Sequence, residues 1–255
     1  SRMRLRSLFA LILVLLCSAC TQKPTPSTPP PVATATTAAN LPFEEVAQRA
    51  GLTFRFDNGH KEMATMMEEN GSGCAFLDYD GDGLLDIYLL NGRDLYGRGT
   101  KLQNALYHNN GDGTFTDVTD KAGVPGTGYG LGVSVADYDN DGHPDLYICQ
   151  WGKNVLYHNN GDGTFKEIGF ESGIALSDNA ASRAGMGLDI ADYKNDNSAG
   201  LAIGNFSYEG IGFYAIGKQL PYPERSKQVG TYAPSFPYIT FGLVFADFDN
   251  DGWQD

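Results

Sequence analysis

An aspartate-rich segment of nine residues recurs along this chain, and such a repeat constrains the fold more than any other feature of the sequence. Three copies have aspartate at positions one, three, five and nine and glycine at position six: loop 1 (78–86), loop 2 (137–145) and loop 4 (247–255). Loop 3 (192–200) is a degenerate copy, with Lys194 at position three and glycine at position nine. The copies start at residues 78, 137, 192 and 247, which gives a repeat of 55 to 59 residues.

A second element follows loops 1 and 2. Residues 106–115 and 156–165 both read Leu-Tyr-His-Asn-Asn-Gly-Asp-Gly-Thr-Phe. Asn-Gly and Asp-Gly between apolar residues signal hairpins, because both pairs tolerate positive φ in a tight turn. Each repeat therefore contains two hairpins, one closed by the Asp loop and one by this turn. Four short antiparallel strands per repeat predict an all-β fold, namely a β-propeller of four-stranded blades.

A third element marks the end of each blade and the link to the next. Residues 115–124 and 165–174 combine a short strand with Ala-Gly-Val or Ser-Gly-Ile, and residues 43–52 carry the same pattern with no blade in front of it. We expect this N-terminal strand to complete the final blade and close the ring, because closure removes exposed sheet edges. The rest of that blade would then follow residue 255, so that this C-terminally incomplete chain holds about half of the ring.

The Asp loops are predicted calcium sites. Carboxylates at positions one, three, five and nine, with the carbonyl at position seven, direct oxygen ligands to one point, which suits Ca²⁺. Glycine at position six allows the left-handed turn that this path needs. The predicted ligands are Asp78, Asp80, Asp82, Leu84 and Asp86; Asp137, Asp139, Asp141, His143 and Asp145; and Asp247, Asp249, Asp251, Trp253 and Asp255. Leu84, His143 and Trp253 would contribute only their backbone oxygens.

An EF-hand shares the first part of this spacing but needs flanking helices and a glutamate at position twelve. Leu89 and Ile148 stand there, and the flanking segments have the β-branched and aromatic content of strands. In loop 3 the charge no longer favours a divalent ion. Lys194 there either pairs with Asp192 or Asp196 or points into solvent.

The first forty residues read as an export signal and a spacer. Three arginines precede an apolar run from Leu8 to Leu16, which is shorter than the about 20 residues of a membrane-spanning helix. Cys17-Ser-Ala-Cys20 follows and resembles the lipobox of bacterial lipoproteins, which implies cleavage after Ala19 and a lipid on Cys20. The alternative is an ordinary cleaved signal that releases a soluble secreted protein.

Residues 21–40 are mostly Thr, Pro and Ala with almost no charge, which is typical of an extended spacer. We therefore predict a lipoprotein signal peptide over residues 1–19, the lipidated cysteine and a linker over residues 20–41, and propeller repeats over residues 42–255. In lipoproteins an aspartate after the lipidated cysteine causes retention at the inner membrane. Thr21 stands there, which favours an outer-membrane lipoprotein, periplasmic or surface-exposed and held by its lipid anchor only.

The net charge bears on the kind of partner that the protein binds, and the cysteine content bears on whether it holds a disulfide. The formal net charge of −13 disfavours nucleic acid as a partner, because phosphates recruit basic surfaces. Cys74 and Cys149 lie in the repeat region. They could form a disulfide in an oxidising compartment, but both fall on predicted apolar strands and no spacing argument joins them, which favours two buried thiols.

The Asp loops alternating with Leu-Tyr-His-Asn-Asn-Gly-Asp-Gly-Thr-Phe hairpins resemble FG-GAP/VCBS repeats, which are related to those of integrin α-subunit propellers. The order and the amino-acid sequence of the repeats, including residues 186–192 and 241–247, resemble those of the cartilage acidic protein and ASPIC/UnbV group over residues 42–255. That group usually carries a further C-terminal ASPIC/UnbV domain. The resemblance implies a Ca²⁺-stabilised extracellular propeller that acts as a binding or adhesion scaffold for a protein or carbohydrate ligand, with no established catalytic residues.

Residues 205–240 depart from this pattern, because the second hairpin is missing and aromatic residues crowd the segment: Tyr208, Phe213, Tyr214, Tyr222, Tyr232, Phe236 and Tyr238. One hypothesis makes part of the segment an exposed ligand platform, for example for sugars. The other, which burial statistics favour, makes these residues the core of a degenerate blade.

A carbohydrate-active propeller enzyme, either a polysaccharide lyase or a glycosidase, is the alternative to a scaffold without catalysis. Such an enzyme needs carboxylates or a base that are free of metal ligation. The candidates outside the loops are Glu68, Glu69, His60, His108 and His158. His108 and His158 occupy matching places in the two hairpins, which favours a structural role in the turns over a catalytic pair.

Overall fold

The computed structural model describes residues 43–59, 66–69, 71–95, 102–126, 128–196 and 198–254. The predicted signal peptide, Cys20 and the linker lie outside the described residues, as do His60 and Asp255. The chain from Val46 onward forms one compact unit. No helix among the described residues has the length and apolar character needed to cross a membrane.

The described residues form an all-β structure, as the sequence predicts. The strands are β1 (Cys74–Leu77), β2 (Asp86–Leu89), β3 (Ala105–Asn109), β4 (Phe115–Asp117), β5 (Tyr129–Ala136), β6 (Asp145–Trp151), β7 (Val155–Asn159), β8 (Phe165–Glu167), β9 (Gly187–Ala191), β10 (Gly200–Gly204) and β11 (Gly212–Ala215). The helices are single turns, α1 (Met66–Glu69), α2 (Thr119–Ala122) and α3 (Tyr232–Ser235).

The strands form antiparallel sheets in sequence order, which is the arrangement of propeller blades. Blade 1 is β1-β2-β3-β4 and blade 2 is β5-β6-β7-β8, so two four-stranded blades are confirmed. Blade 3 has the three strands β9-β10-β11, and an isolated bridge joins Tyr214 of β11 to Glu224. Loops 1 and 2 join the first two strands of their blades, since Leu77 pairs with Asp86 and Ala136 with Asp145.

Side chains from neighbouring blades share each apolar core. The first core joins Tyr88 and Leu106 of blade 1 to Leu146 and Ile148 of blade 2, all four of them without exposed surface. The second core joins blade 2 to blade 3 through residues such as Cys149 and Ile203. Because each apolar side chain of this size stabilises by about 1.5–3 kcal/mol when buried, the blades hold one another in place.

Glycine stands five residues before each Asp loop, where the first strands of successive blades approach one another. A Cβ on Gly73 would lie 3.2 Å from the Cα of Gly132, and one on Gly132 would lie 2.7 Å from the carbonyl oxygen of Met186. A Cβ on Gly187 would lie 2.7 Å from the Cα of Gly242. The same position of four repeats therefore packs backbone against backbone, which is the arrangement expected along the inner side of a propeller.

The strand predicted over Phe43–Val46 is not formed, since these residues have no regular structure. Residues 47–51 instead form a turn, and Ala50 is joined to blade 1 because its carbonyl oxygen accepts a hydrogen bond from the N–H of Phe115 (2.8 Å). A strand needs a paired neighbour, and none of the strands in the described part of the chain pairs with these residues. The turn itself matches the link after blade 1. The N–H of Ala50 donates to the carbonyl oxygen of Val46, as the N–H of Ala122 donates to that of Val118.

The two cysteines of the repeat region are free thiols, as predicted, but only one of them is buried. Cys149 on β6 lies in the second core, whereas Cys74 at the start of β1 is exposed. The prediction of burial for Cys74 was wrong because β1 has little cover: Leu77 is its one buried residue. Burial raises the pKa of the Cys149 thiol, since a thiolate would lose its hydration there.

Candidate metal centres

The first aspartate of each intact loop folds the loop back on itself. Asp78 accepts hydrogen bonds from the backbone N–H groups of Gly81 (2.9 Å), Asp82 (3.1 Å) and Gly83 (2.9 Å). Asp137 and Asp247 accept equivalent bonds within loops 2 and 4. The glycine at position six has φ of 86°, 93° and 90° in loops 1, 2 and 4, so the predicted left-handed turn is present in all three.

This loop path brings the first three carboxylates of each intact loop together. Asp78, Asp80 and Asp82 each place one oxygen within 4.8 Å of the other two, and residues 137, 139 and 141 and residues 247, 249 and 251 do the same. Clustered carboxylate oxygens at the surface are the donors that Ca²⁺ prefers. The residues present therefore fit the predicted ion, and the same fit occurs three times.

The aspartate at position nine lies deeper than the other three. Asp86 has no exposed surface, and it accepts hydrogen bonds from the N–H of Tyr79 (3.1 Å) in the loop and from the N–H of Asn109 (2.8 Å) in the second hairpin. Asp145 makes the same two bonds with Tyr138 (3.2 Å) and Asn159 (2.8 Å). The last aspartate thus fastens loops 1 and 2 to the hairpins that follow them.

Burial also changes the acidity of this pair of carboxyl groups. It raises the pKa of Asp145 to about 7, and raises that of Asp86, because a carboxylate loses hydration in the interior. The backbone hydrogen bonds from the loop and the hairpin lower both pKa values in part. A bound cation would favour the charged forms.

His108 and His158 face the Asp loops, a placement that their matching positions in the two hairpins did not predict. The Nδ1 of His108 lies 3.2 Å from Oδ1 of Asp86 and 3.4 Å from Oδ2 of Asp80. The Nδ1 of His158 lies 3.4 Å from Asp145 and 3.5 Å from Asp139. Strand pairing brings them there, because the pair of Ile87 with Tyr107 sets Asp86 opposite His108. The sequence could have indicated this contact only through the pairing of the second and third strands of the blade, and the motif spacing alone does not give that pairing.

The residues at position seven leave their side chains outside the ligand cluster. A Cβ on Gly111 would lie 3.2 Å from Cδ1 of Leu84, and a Cβ on Gly161 would lie 2.5 Å from Nε2 of His143. Both side chains thus rest on the turn of the second hairpin. Trp253 in loop 4 is half exposed. The prediction that these residues use only their backbone oxygens remains a prediction.

Loop 3 is filled by aromatic side chains where the other loops have their last aspartate. A Cβ on Gly200 would lie 2.7 Å from the ring of Phe213 and 2.7 Å from that of Tyr193. These rings meet edge to face at a centroid distance of 5.0 Å. The Nζ of Lys194 stands 5.1 Å from the centre of the Tyr193 ring, so this ammonium group makes a cation–π contact.

The aromatic residues of segment 205–240 fall into two groups, one that fits the core hypothesis and one that fits the platform hypothesis. Phe213, Tyr214 and Tyr222 are buried in or beside blade 3, as expected for a core. The other four are half-buried or exposed and are termed the aromatic cluster: Tyr208, Tyr232, Phe236 and Tyr238, of which the first three are joined by ring contacts. Within it Tyr208 and Tyr238 are 71% and 67% exposed, which leaves their rings open to a partner.

Ring contacts and a buried ion pair hold this segment in place. The Phe236 ring lies 5.7 Å from that of Tyr208 and 5.5 Å from that of Tyr232, measured between centroids. Arg183 and Glu224, which are 11% and 6% exposed, form an ion pair of 3.0 Å. The exposed rings therefore stand on a supported part of the chain.

Fold and loops together define a class, a repeat protein built of propeller blades whose acidic loops could bind a metal ion, and comparison with known proteins supports the repeat. The family model of the FG-GAP-like repeat matches residues 78–148 and residues 137–201, so FG-GAP-like repeats are present. Cartilage acidic protein 1 of Xenopus tropicalis is 26% identical over 173 residues, and that of Homo sapiens is 27% identical over 162 residues. Each alignment covers 60% of this chain and 24% or 23% of the relative, so the chain spans about a quarter of their length.

Proposed function

We propose that the protein is a surface-anchored, calcium-binding β-propeller that acts as a non-catalytic binding or adhesion scaffold. The observation that carries the proposal is the threefold repetition of one loop geometry, in which three carboxylates converge and a left-handed glycine is already in place. A repeated cation site beside the seams between blades serves to hold blades in register. The FG-GAP-like repeats and the likeness to cartilage acidic protein 1 support a scaffold of the integrin type.

The anchor belongs to the same proposal and rests on the sequence. Lipidation of Cys20, followed by the spacer that ends at residue 41, would hold the blades away from an outer membrane. Mass spectrometry of the protein purified from a bacterial membrane tests this step. We expect a diacylglyceryl group on an N-terminal Cys20 and its loss in a Cys20→Ala variant. Soluble export of the unmodified chain would contradict the anchor and leave the calcium proposal standing.

Thermal unfolding with and without calcium tests the metal proposal. We expect chelation to lower the melting temperature, calcium to restore it and magnesium to restore it poorly, because Mg²⁺ demands a stricter octahedron. Calcium at a hundred times its Kd adds about 2.7 kcal/mol of stability for each site. Asp137→Asn should remove one bound ion, whereas the matched change Asp192→Asn in loop 3 should remove none. An unchanged melting temperature after chelation would contradict the proposal.

The aromatic cluster at residues 208, 232, 236 and 238 is the proposed ligand platform. Flat rings with a polar edge suit the faces of sugars and the side chains of a protein partner. A glycan-binding screen, together with an assay for polysaccharide depolymerisation, tests it. We expect Tyr208→Ala or Tyr238→Ala to weaken binding while calcium content is unchanged, and Trp151→Ala, an exposed aromatic outside the cluster, to leave binding intact. Release of sugar products would contradict the non-catalytic proposal.

A further inference from the structure

The position of the two hairpin histidines is not explained by calcium binding. Calcium takes oxygen ligands, yet an imidazole nitrogen stands beside two carboxylates in both blade 1 and blade 2. In the region that the structure describes, loop 4 has no such group among its metal-competent residues. Imidazole together with carboxylate is instead the donor set of borderline divalent ions such as Zn²⁺.

The geometry in blade 1 is that of ligands aimed at a common point. The Nδ1 of His108 is buried and makes no hydrogen bond, although two carboxylate oxygens lie within 3.4 Å of it. The three atoms are therefore close together without being aligned for hydrogen bonds to one another. Two ligands of a tetrahedral zinc ion, each about 2.0–2.1 Å from the metal, are themselves about 3.4 Å apart. The nitrogen-to-oxygen distances of 3.2 and 3.4 Å match that separation.

The carboxylate of Asp86 is also supported as a metal ligand usually is. Each of its oxygens accepts one backbone N–H, from Tyr79 and from Asn109, which leaves a second lone pair on each oxygen. Such outer hydrogen bonds fix the orientation of a ligand and increase metal affinity. The Tyr79 ring and the imidazole also meet edge to face, at a centroid distance of 6.0 Å.

Blade 2 repeats the arrangement with one difference. Asp139, Asp145 and His158 also form a metal-competent group, and the Tyr138 ring packs at 6.0 Å. The hydroxyl of Tyr138 lies 3.5 Å from Nδ1 of His158, so this nitrogen has a weak hydrogen-bond partner that its counterpart in blade 1 lacks. Repetition at the same register in two blades argues against a chance approach of one side chain.

We propose that Asp80, Asp86 and His108 form a mixed nitrogen and oxygen site for a borderline divalent ion such as Zn²⁺, and that Asp139, Asp145 and His158 form a second. Three protein ligands leave a fourth position for water or for a group of a partner. The sites share Asp80 and Asp139 with the carboxylate clusters, and Asp86 and Asp145 are also the predicted calcium ligands at position nine. The histidine is the ligand that belongs to the mixed site alone, so its substitution separates this proposal from calcium binding.

Zinc and calcium titrations of the full chain distinguish the two kinds of site. We expect the double variant His108→Gln and His158→Gln to lose at least tenfold in Zn²⁺ affinity while its Ca²⁺ affinity is unchanged. The control is Lys153→Gln, which changes an exposed residue outside both kinds of site and should alter neither affinity. Asp78→Asn should lower Ca²⁺ affinity alone, because this residue belongs only to the calcium cluster.

Unchanged zinc affinity in the double variant would overturn the proposal, as would a parallel loss of zinc and calcium affinity. Cobalt substitution of the unmodified chain gives a readout that needs no variant. Four-coordinate Co²⁺ with a nitrogen ligand absorbs visible light strongly, whereas octahedral Co²⁺ bound by oxygen absorbs weakly. We expect the strong bands in calcium-free buffer, and their absence there would also overturn the proposal.

Discussion

At the scale of single residues, one asparagine per hairpin connects the loops to the blades. The side-chain amide of Asn159, which has no exposed surface, donates to the carbonyl oxygens of Pro144 (3.1 Å) and of Tyr79 (2.9 Å). Because Tyr79 belongs to loop 1, Asn159 fastens blade 2 to blade 1. Asn109 occupies the same place in blade 1, where its amide donates to Leu85 within its own blade (3.0 Å).

This difference predicts unequal costs for the same substitution. Asn159→Ala should lower the free energy of unfolding by about 2–3 kcal/mol, because one buried and one half-buried carbonyl group lose their donor. Asn109→Ala should cost less, since its one carbonyl partner is at the exposed rim. Urea unfolding in saturating calcium measures both changes. Equal costs would show that the contact between the blades adds nothing to stability.

The two thiols of the repeat region should differ in reactivity for a reason that burial provides. Burial raises the pKa of Cys149, and the reacting species is the thiolate, so this residue should resist alkylation in the folded protein. Cys74 is exposed and should react. Peptide mapping after brief treatment with iodoacetamide measures both, and prior unfolding in urea should make the two react alike. Modification of Cys149 in the folded protein would contradict its placement in the core.

At the scale of elements, the Asp loop and the second hairpin act as one unit. The carboxylate at position nine binds the N–H of the hairpin asparagine in both complete blades. Blade 3 has lost both partners together: position nine is Gly200, and the Gly-Asp-Gly hairpin is missing from its sequence. Aromatic packing of Tyr193 against Phe213 takes the place of that hydrogen-bonded junction.

A substitution that restores the motif of loop 3 should therefore fail. Gly200→Asp supplies the missing carboxylate, but its Cβ would collide with the rings of Tyr193 and Phe213, and no hairpin N–H would receive it. We expect a loss of about 2 kcal/mol or more in stability, since an unpaired charge would also be buried, and no additional bound calcium. Gly217→Asp is the matched control, because no atom lies within 4 Å of its Cβ position. A gain of one calcium ion in Gly200→Asp would contradict this account.

At the scale of the whole unit, stability comes from the seams between blades. The two apolar cores each take side chains from two blades, and the first strands touch through glycine. Blades are thus not independent, because removing one would expose the core that it shares with its neighbour. A substitution that disturbs the inner side of a seam should therefore destabilise both blades that meet there.

Gly132→Ala tests this dependence. The added methyl group would lie 2.7 Å from the carbonyl oxygen of Met186, so blades 2 and 3 must separate at their inner strands. We expect a loss of about 1–3 kcal/mol, with faster hydrogen exchange in both β5 and β9. Gly217→Ala, at an open position, should change neither. A defect confined to β5 would contradict packing of backbone against backbone at the seam.

The sequence by itself determined the features that depend on local signals. Glycine at position six dictates the left-handed turn of each Asp loop, and Asn-Gly with Asp-Gly dictates the second hairpin. Repetition of these signals at regular spacing specifies four-stranded blades, and both complete blades follow that prediction. These features are readable because each depends on the φ angles and hydrogen bonds of a few neighbouring residues.

Only the tertiary structure decided what the nonlocal contacts determine. Strand register brought His108 to Asp86 across 22 positions of sequence, and packing of the next blade decided that Tyr79 is buried while Cys74 is not. The same holds for the aromatic segment, where core packing took Phe213 and left Tyr208 exposed. Burial is a property of the surrounding surface rather than of the residue, and that surface exists only once the blades are packed together.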